Sequence, residues 1–493
     1  MNKTFSISFL CFALLSGRSN SLAQITSPNG RELFNSVMSL SDGMYDSGTH
    51  VMRVTHPGSY AGAPQSRETG YYAFGLLLRD GPGDRSKAEA CLNTILGMQY
   101  TDPSKKWYGT FKVVSTEPAP GFSAGQGYDP NWREFVGVTL EMILLEFPDR
   151  ISGSMRDRLL KAVDMAAVGE QKDGRLIPNY TNPALLYGSL WDFSAAQHHD
   201  AADAARASAW MDSVYGIFKA RDAFQEFNSP TYYGVDLLGV TLWRQYGSSP
   251  HIRSMGADME AKLWTQIASS YSPDLRNIAG PYDRAYGMDM TNYICLMGVW
   301  LRTILPADKA PLPALNPANT YIGDALGTPL IVTLKPEIPA DALAELQRPT
   351  QPHMMKQQIT SKRLATSWIG KDVLFGAEAT DPATKVDANS QFRPITVHWK
   401  TSTGTVGWID VSQGEIGAAT ASSTGITAQN SGDLTFTVSA QGLSNSNFSG
   451  QQWRLPGLDL EVSTDGTFAG AKAQGTNFLV TYNNVHHFTM TKH

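Results

Sequence analysis

The chain has 493 residues, of which 42% are hydrophobic and 17% charged, so it is a folded protein too long for one ordinary domain. Its net charge is −5 and it has no region rich in Lys and Arg, so nothing indicates a nucleic-acid partner. Residues 1–23 are typical of an export signal, because Lys3 is followed by an apolar stretch from Phe5 to Leu15 and then by small residues. Since that stretch is too short to cross a bilayer, we expect a secreted or periplasmic protein with no membrane span.

A helical pattern extends from about Glu32 to Leu305. Apolar residues recur there at steps of three and four, as they do between Trp132 and Phe147. The stretch from Tyr232 to Trp243 is apolar nearly all round and predicts a helix buried on most sides, whereas the helices between such stretches are amphipathic. This alternation repeats roughly every 50–60 residues. It predicts an (α/α) toroid of five or six helical hairpins over residues 24–305.

Each predicted inner helix is preceded by a short cluster of polar and aromatic residues. We expect these helices to begin near residues 67, 131, 183, 231 and 286. If they stand parallel, their N-termini and the positive ends of their dipoles meet at one rim, which suits a polar and anionic ligand. The clusters are Ser66–Thr69, Asp129–Glu134, Asn179–Pro183, Glu226–Tyr233 and Tyr282–Tyr286.

Two cysteines, Cys91 and Cys295, follow the export signal, and both lie in apolar helical patterns. The pattern favours two buried free thiols, while a disulfide between them stays open in an oxidising compartment. Neither cysteine belongs to a CxxC pair or to a cluster with histidines, so nothing predicts a zinc site. We expect no cofactor and no metal.

The pattern changes after residue 305. Four prolines between Pro306 and Pro317 predict a linker over residues 306–319. Beyond it, short stretches with strand-forming residues are separated by Gly, Asp and Ser turns, which predicts an antiparallel β-sandwich over residues 320–493. The clearest of these strands are Leu434–Ser439, Leu458–Ser463 and Phe478–Tyr482.

A helical toroid followed by a β-sandwich resembles the secreted polysaccharide lyases of the heparinase II/III-like and alginate-lyase-like kind. It is also similar to the six-hairpin glycoside hydrolases. The resemblance implies an enzyme that cleaves a polysaccharide or oligosaccharide. The Tyr, Arg and Asn residues of the rim favour a lyase that acts on an anionic, uronic-acid-containing glycan.

Such a lyase removes the proton next to a uronate carboxylate, whose charge must first be neutralised by hydrogen bonds. We expect Asn228 and Arg284 to hold that carboxylate, and Tyr232 or Tyr286 to exchange the proton. Each has a structural alternative. Asn228 can be a helix cap, Arg284 can form a structural salt bridge, and Tyr232 can be a core residue.

Other polar and aromatic residues of the rim, together with a tryptophan in a loop between helices, are expected to contact substrate. Two have a clear structural alternative, because Trp132 is in phase with the apolar stripe and Asp129 can cap the helix. The expected substrate-binding residues are Arg67, Glu68, Trp107, Asp129, Trp132, Arg133, Glu134, Asn179, Tyr180, Glu226, Tyr233 and Tyr282.

Two other functions remain open. An inverting glycoside hydrolase needs two carboxyl groups on opposite sides of a glycosidic bond, with room for a water molecule. A non-catalytic glycan-binding protein on the same scaffold needs aromatic rings and polar donors but no acid or base. The carboxylates that could serve the hydrolase are Glu68, Asp129, Glu134, Glu226 and Asp283.

Overall fold

The computed structural model describes residues 25–54, 63–118, 120, 127–380 and 391–493. The predicted export signal lies outside the described residues. The helices come first along the chain. They are α1 (Pro28–Met44), α2 (Ser66–Arg79), α3 (Asp84–Gly97), α4 (Trp132–Glu146), α5 (Gly153–Asp173), α6 (Thr181–Gln197), α7 (Ala201–Lys219), α8 (Tyr233–Tyr246), α9 (Pro250–Ser270), α10 (Leu296–Ile304), α11 (Ile322–Leu326), α12 (Thr328–Thr333) and α13 (Ala340–Gln347).

Helices α2 to α10 form a ring of hairpins with an inner and an outer layer. The inner helices α2, α4, α6, α8 and α10 pack against one another in that order, and α3, α5, α7 and α9 each pack outside the inner helix that precedes them. The inner helices are buried on nearly every side because they are apolar nearly all round. Helix α1 contacts both α10 and α2 and so closes the ring. The predicted toroid is confirmed.

The connections differ in length on the two sides of the ring. The turns from an inner to an outer helix have three to six residues, whereas the chain returns to the inner layer through longer segments, such as residues 98–131 and 271–295. Because neighbouring hairpins run in the same direction, the longer segments all meet where the inner helices begin. We call this side of the ring the rim. Four inner helices begin within two residues of their predicted positions.

The fifth predicted start, near residue 286, is wrong, because α10 begins at Leu296. The backbone before it is bonded to distant segments instead of to itself. The amide of Asp283 donates to the carbonyl of Phe227, and the amide of Ala285 donates to the carbonyl of Gln391. Hydrogen bonds to another part of the chain thus replace the helical ones over the cluster Tyr282–Tyr286.

The helical part also extends past the proline-rich stretch. The short helix α12 is buried throughout and packs against α1 and α2, and α13 packs against α9. The expected start of the β part at residue 320 therefore differs from the structure, in which the large sheet begins at His353. The sequence Thr328–Thr333 is apolar enough to form a strand, but here it forms a helix buried against α1 and α2.

Short two- and three-residue strands lie in the connections of the helical part, and the remaining strands form one large antiparallel sheet. The short ones are β1 (Tyr45–Asp46), β2 (Val51–Arg53), β3 (Pro64–Gln65), β4 (Tyr271–Ser272) and β5 (Asn277–Ile278). The strands of the large sheet are β6 (His353–Thr360), β7 (Arg363–Ile369), β8 (Val373–Thr380), β9 (Ile395–Lys400), β10 (Val406–Gln413), β11 (Ala419–Ser422), β12 (Gly425–Ser439), β13 (Gln452–Leu455), β14 (Leu458–Thr464), β15 (Thr467–Gln474) and β16 (Asn477–Lys492).

The large sheet folds over into two layers. Its order is β13-β14-β16-β12-β10-β9-β8-β7-β6, with β11 beside β12 and β15 beside β16. The register of β12 against β16 shifts between Gln429 and Leu434, where bulges bend both long strands. As a result β11 packs across β7 and β8, and Phe375, Phe436 and Trp453 share one core between the layers. The predicted antiparallel β-sandwich is confirmed.

The two cysteines are buried and free. Cys91 lies in α3, and Cys295 immediately precedes α10. Burial raises the pKa of the Cys91 thiol to about 12, which keeps it protonated and unreactive. Of the two alternatives, the structure has the free thiols.

Candidate functional site

Arg284 lies at the centre of a polar cluster on the rim. Its Nη1 lies 2.5 Å from Oε1 of Glu226, its Nη2 donates to the hydroxyl of Tyr232 at 2.9 Å, and its Nε donates to Oε1 of Gln391 at 3.0 Å. The guanidinium carbon also lies 4.0 Å from the ring centroid of Tyr232. Three residues predicted for the site are therefore in direct contact, together with a glutamine from the β part.

A second tyrosine completes this cluster. The hydroxyls of Tyr232 and Tyr286 are hydrogen-bonded to each other, and their rings meet edge to face with centroids 5.7 Å apart. Tyr232 is 9% exposed, whereas Tyr286 is 41% exposed and stacks on Tyr321. Burial raises the pKa of Tyr232 although Arg284 acts in the opposite direction. In this pair Tyr286 is the hydroxyl that a ligand can reach.

Glu226 holds the other side of Arg284. Its carboxylate accepts hydrogen bonds from the backbone and side-chain amides of Asn182, at 2.8 to 3.0 Å. Asp236, close to Glu226 and Arg284, is fully buried, and neither of its carboxyl oxygens has a hydrogen-bond partner. Burial, and then the negative charge of Glu226, raise the pKa of Asp236 well above its usual range, which favours the neutral form of its carboxyl group. The carboxylate of Glu226 therefore serves to hold Arg284 in position.

Three predicted residues point away from this cluster. Asn228 has a left-handed backbone with φ 55°, and its side-chain amide donates to the carbonyls of Ala279 at 2.5 Å and Pro281 at 3.1 Å. The hydroxyls of Tyr233 and Tyr282 bond to Gln266 and to the carbonyl of Ile278 within the core. Because their polar groups are occupied and buried, we assign all three structural roles in place of the expected ones.

Arg133 and Glu134 also differ from the expectation. The guanidinium of Arg133 is fully buried between Glu170 at 3.0 Å and Asp173 at 2.9 Å. Glu134 bonds to Arg175 at 3.2 Å, and burial together with the charge of Glu170 raises its pKa. Arg133 joins α4 to α5, Glu134 joins α4 to the segment after α5, and both side chains are closed off from a ligand.

Four predicted residues form a second polar group on the rim. Arg67 pairs with the buried Glu68 at 2.7 Å and lies 5.6 Å from the ring centroid of Trp132. The indole of Trp132 donates to the hydroxyl of Ser66 at 3.0 Å. Asp129 is partly exposed and accepts the amide of Asn131, and burial raises its pKa while Arg175 and Arg67 act in the opposite direction. Within this second polar group, the carboxylate of Asp129 is the one that remains accessible.

The remaining expected contacts are partly exposed. The ring centroid of Tyr180 lies 5.9 Å from the guanidinium of Arg284, and Asn179 precedes it in the same connection. Trp107 lies in the connection between α3 and α4, where its ring centroid is 6.0 Å from that of Tyr128.

Several site residues were not selected from the sequence. Asn182 stood in one of the clusters, and Asp236 was visible as a single acidic residue in the first turn of an otherwise apolar helix. Gln391 and Tyr321 carried no comparable signal, because only the fold brings them to Arg284 and Tyr286.

The arrangement presents arginines beside aromatic rings, among them the exposed phenol of Tyr286. Arginine binds planar carboxylates with two parallel hydrogen bonds, and aromatic faces stack on sugars. Within the described residues, no three His, Cys, Asp or Glu side chains are grouped closely enough to hold a metal ion. No helix in the described part of the chain is long and apolar enough to cross a membrane.

The fold and the rim therefore define a helical-toroid and β-sandwich protein with an arginine–tyrosine cluster. Residues 31–336 match the model of a family described as a domain of unknown function, DUF8769, and the chain belongs to that family. No curated protein sequence matches the chain.

Solved structures with a similar architecture include two polysaccharide lyases. Heparinase III superposes over 99% of this chain and 87% of its own, with 7% identity and a TM-score of 0.45. The chondroitin AC lyase of Streptomyces coelicolor A3, solved in complex with chondroitin sulphate, covers 96% of this chain and 79% of its own, with 9% identity and a TM-score of 0.43.

Proposed function

We propose that the protein is a secreted or periplasmic polysaccharide lyase that cleaves uronic-acid-containing glycans by β-elimination. The observation that carries this proposal is the hydrogen-bonded series from Arg284 through the Tyr232 hydroxyl to the exposed Tyr286 hydroxyl. The predicted export signal fits the location, and the arginines of the rim fit an anionic substrate.

Arg284 is the residue that neutralises the substrate carboxylate. Its Nη1 and Nη2 are held by Glu226 and Tyr232, but its Nε contacts the neutral amide oxygen of Gln391. In the proposed complex a uronate carboxylate takes the place of Gln391, so the guanidinium pairs with a full negative charge instead of a neutral amide oxygen. The acidic carbon of that sugar would then face the tyrosines.

Tyr286 is the base in this proposal. Burial raises the pKa of Tyr232, whose hydroxyl accepts a hydrogen bond from Arg284 and is hydrogen-bonded to the hydroxyl of Tyr286. In the proposed step Tyr232 donates the bond between the two hydroxyls, and Tyr286 as its phenolate takes the proton next to the carboxylate. The electrons form a carbon–carbon double bond, the glycosidic oxygen leaves from the neighbouring carbon, and a proton returns to it.

The inverting hydrolase is the second candidate, and Asp129 is the observation that favours it. A partly exposed carboxyl group with a raised pKa is suited to donate a proton to a leaving group. Glu226, Glu134 and Asp283 are less suited, because each is committed to a buried arginine or amide contact.

Digestion of a panel of acidic and neutral polysaccharides separates these functions. A lyase produces an unsaturated uronate that absorbs ultraviolet light, and we expect this absorbance with at least one acidic polymer. If new reducing ends form without this absorbance, and Asp129→Asn abolishes their formation, the protein is a hydrolase and not a lyase. Binding to a glycan without any cleavage would leave a binding protein.

A further inference from the structure

We propose that the connection between α3 and α4 carries a second, preformed binding surface for acidic polysaccharide. We call it the basic platform and define it by Lys105, Lys106, Trp107, Tyr108 and Lys172. The identity of its ligand rests on the proposed function, since the platform would hold a distant part of the same polymer that is cleaved near Arg284.

The platform combines cationic and aromatic side chains. Lys105 and Lys172 are exposed, and the side chain of Lys106 is 71% exposed. The ammonium group of Lys172 lies 4.9 Å from the ring centroid of Tyr108, while Trp107 is partly exposed. Such a patch attracts polymers with repeated negative charges, and its rings can stack on sugar faces.

Buried contacts fix the backbone of the platform. Arg133 donates from Nε to the carbonyl of Tyr108 at 3.0 Å and from Nη2 to the carbonyl of Lys106. A Cβ at Gly169 would overlap the carbonyl of Tyr108, so only glycine allows this close approach of α5. Gly109 has a φ of 80° and lies equally close to the carbonyl of Met165. The loop therefore needs no ordering when a ligand binds, which preserves affinity.

Ion pairs and hydrogen bonds connect the platform to the start of α4 on the rim. Asp173 bonds to the buried Arg133 at 2.9 Å and lies 3.6 Å from the ammonium group of Lys106. Two residues later, Arg175 bonds to Asn131 and Glu134 at the start of α4, next to Asp129. In this proposal a long glycan occupies both the Arg284 cluster and the platform, whereas a short oligosaccharide occupies only one of them.

The test compares two triple variants with the same change in charge. One is Lys105→Ala/Lys106→Ala/Lys172→Ala, and the control removes the exposed Lys161, Lys356 and Lys371 by alanine substitution. We expect the platform variant to raise KM for a long acidic polysaccharide about tenfold at low salt, with kcat unchanged. The KM for a short oligosaccharide, and both constants of the control, should stay at the wild-type value. Equal KM changes for long and short substrates, or in both variants, would overturn the platform.

A binding measurement separates this proposal from the proposed function. In native gels that contain an acidic polysaccharide, wild type should be retarded, the platform variant much less, and the control as much as wild type. This result supports the platform even if no cleavage is ever seen. Equal retardation of all three proteins would overturn it while leaving the lyase intact. Retardation of wild type by double-stranded DNA as strong as by the glycan would overturn the assignment of its ligand.

Discussion

The guanidinium of Arg284 lies 4.0 Å from the ring centroid of Tyr232 and at the same time donates a 2.9 Å hydrogen bond to the hydroxyl of that tyrosine. The two contacts lock the phenol in one orientation, in which its hydroxyl is hydrogen-bonded to that of Tyr286. Arg284 is in turn fixed by Glu226 and by Gln391 of the β part. Both structural parts of the protein thus determine where the accessible phenol lies.

Arg284→Ala should reduce activity selectively. Loss of a charge that stabilises a developing enolate costs about 10²–10³ in kcat for comparable stabilising donors. We therefore expect a drop of this order on an acidic polysaccharide and a much smaller effect on binding of a neutral one. Kinetics with the acidic polysaccharide and binding measurements with both polymers check this, with Arg206→Ala on the exposed face of α7 as control. An equal loss of affinity for the acidic and the neutral polymer would contradict a role in carboxylate binding.

Asn228 should matter for stability and not for turnover. Asn228→Ala loses two hydrogen bonds and places a Cβ-bearing residue without a local hydrogen bond in the left-handed region, for a total cost of about 2–4 kcal/mol. Asn228→Gly should be less destabilised, because glycine tolerates that backbone. Denaturant unfolding and kcat per folded molecule check both variants. If a stably folded Asn228→Ala protein has a kcat reduced a hundredfold, Asn228 is a catalytic residue after all.

Arg363 should be the main electrostatic link between the two parts. Its buried guanidinium bonds to Asp283, next to Arg284, and to Glu378 at 2.8 Å. Arg363→Met leaves two buried carboxyl groups without a cation, which costs about 3–5 kcal/mol. Urea unfolding of this variant should show that loss, whereas Arg454→Met on the exposed face of β13 should unfold like wild type. Unchanged stability of Arg363→Met would show that the acids find other partners.

Glu141 should make stability fall with rising pH. Burial raises its pKa to about 8 although Ser189 acts in the opposite direction, so the folded protein keeps a proton that the unfolded chain loses near its usual value of 4.5. The stabilisation is complete below pH 4.5 and is lost as the pH rises to about 8, at about 1.4 kcal/mol per pH unit. Glu141→Gln lacks this dependence, so the stability of the variant relative to wild type should rise from pH 5 to pH 7.5.

Unfolding by denaturant at both pH values measures this difference, and Glu461→Gln on the surface serves as control. A constant difference between Glu141→Gln and wild type across that range would mean that Glu141 is already ionised in the folded protein.

The hairpins and the rim were predictable because local information determines them. Apolar residues spaced three and four positions apart marked the helices. The regular alternation of buried and amphipathic helices implied that the N-termini of the inner helices lie on one side of the ring. The start of α10 was not predictable in the same way. Its false signal at Tyr282–Tyr286 is a helix-like cluster whose backbone bonds instead to Phe227 and Gln391, far away in sequence.

The site was only partly predictable for a similar reason. Arg133 and Arg284 each follow one aromatic and one acidic residue within a cluster at the start of a predicted inner helix. The sequence does not distinguish the two arginines. The difference lies in α5, because Glu170 and Asp173 bury Arg133 completely. Asn228 was selected for its chemistry, but the neighbouring 279–281 backbone takes up its side chain.

The most direct test of the account is the rate at which an acidic polysaccharide gains ultraviolet absorbance with wild type, Tyr286→Phe and Tyr232→Phe. Each substitution removes one hydroxyl and little volume, and Tyr215→Phe on α7 controls for the loss of a phenol elsewhere. Loss of a general base lowers the rate about 10²–10⁴-fold. We predict such a loss for Tyr286→Phe, a smaller one for Tyr232→Phe, and none for Tyr215→Phe. Formation of unsaturated product by Tyr286→Phe at the wild-type rate would contradict the account.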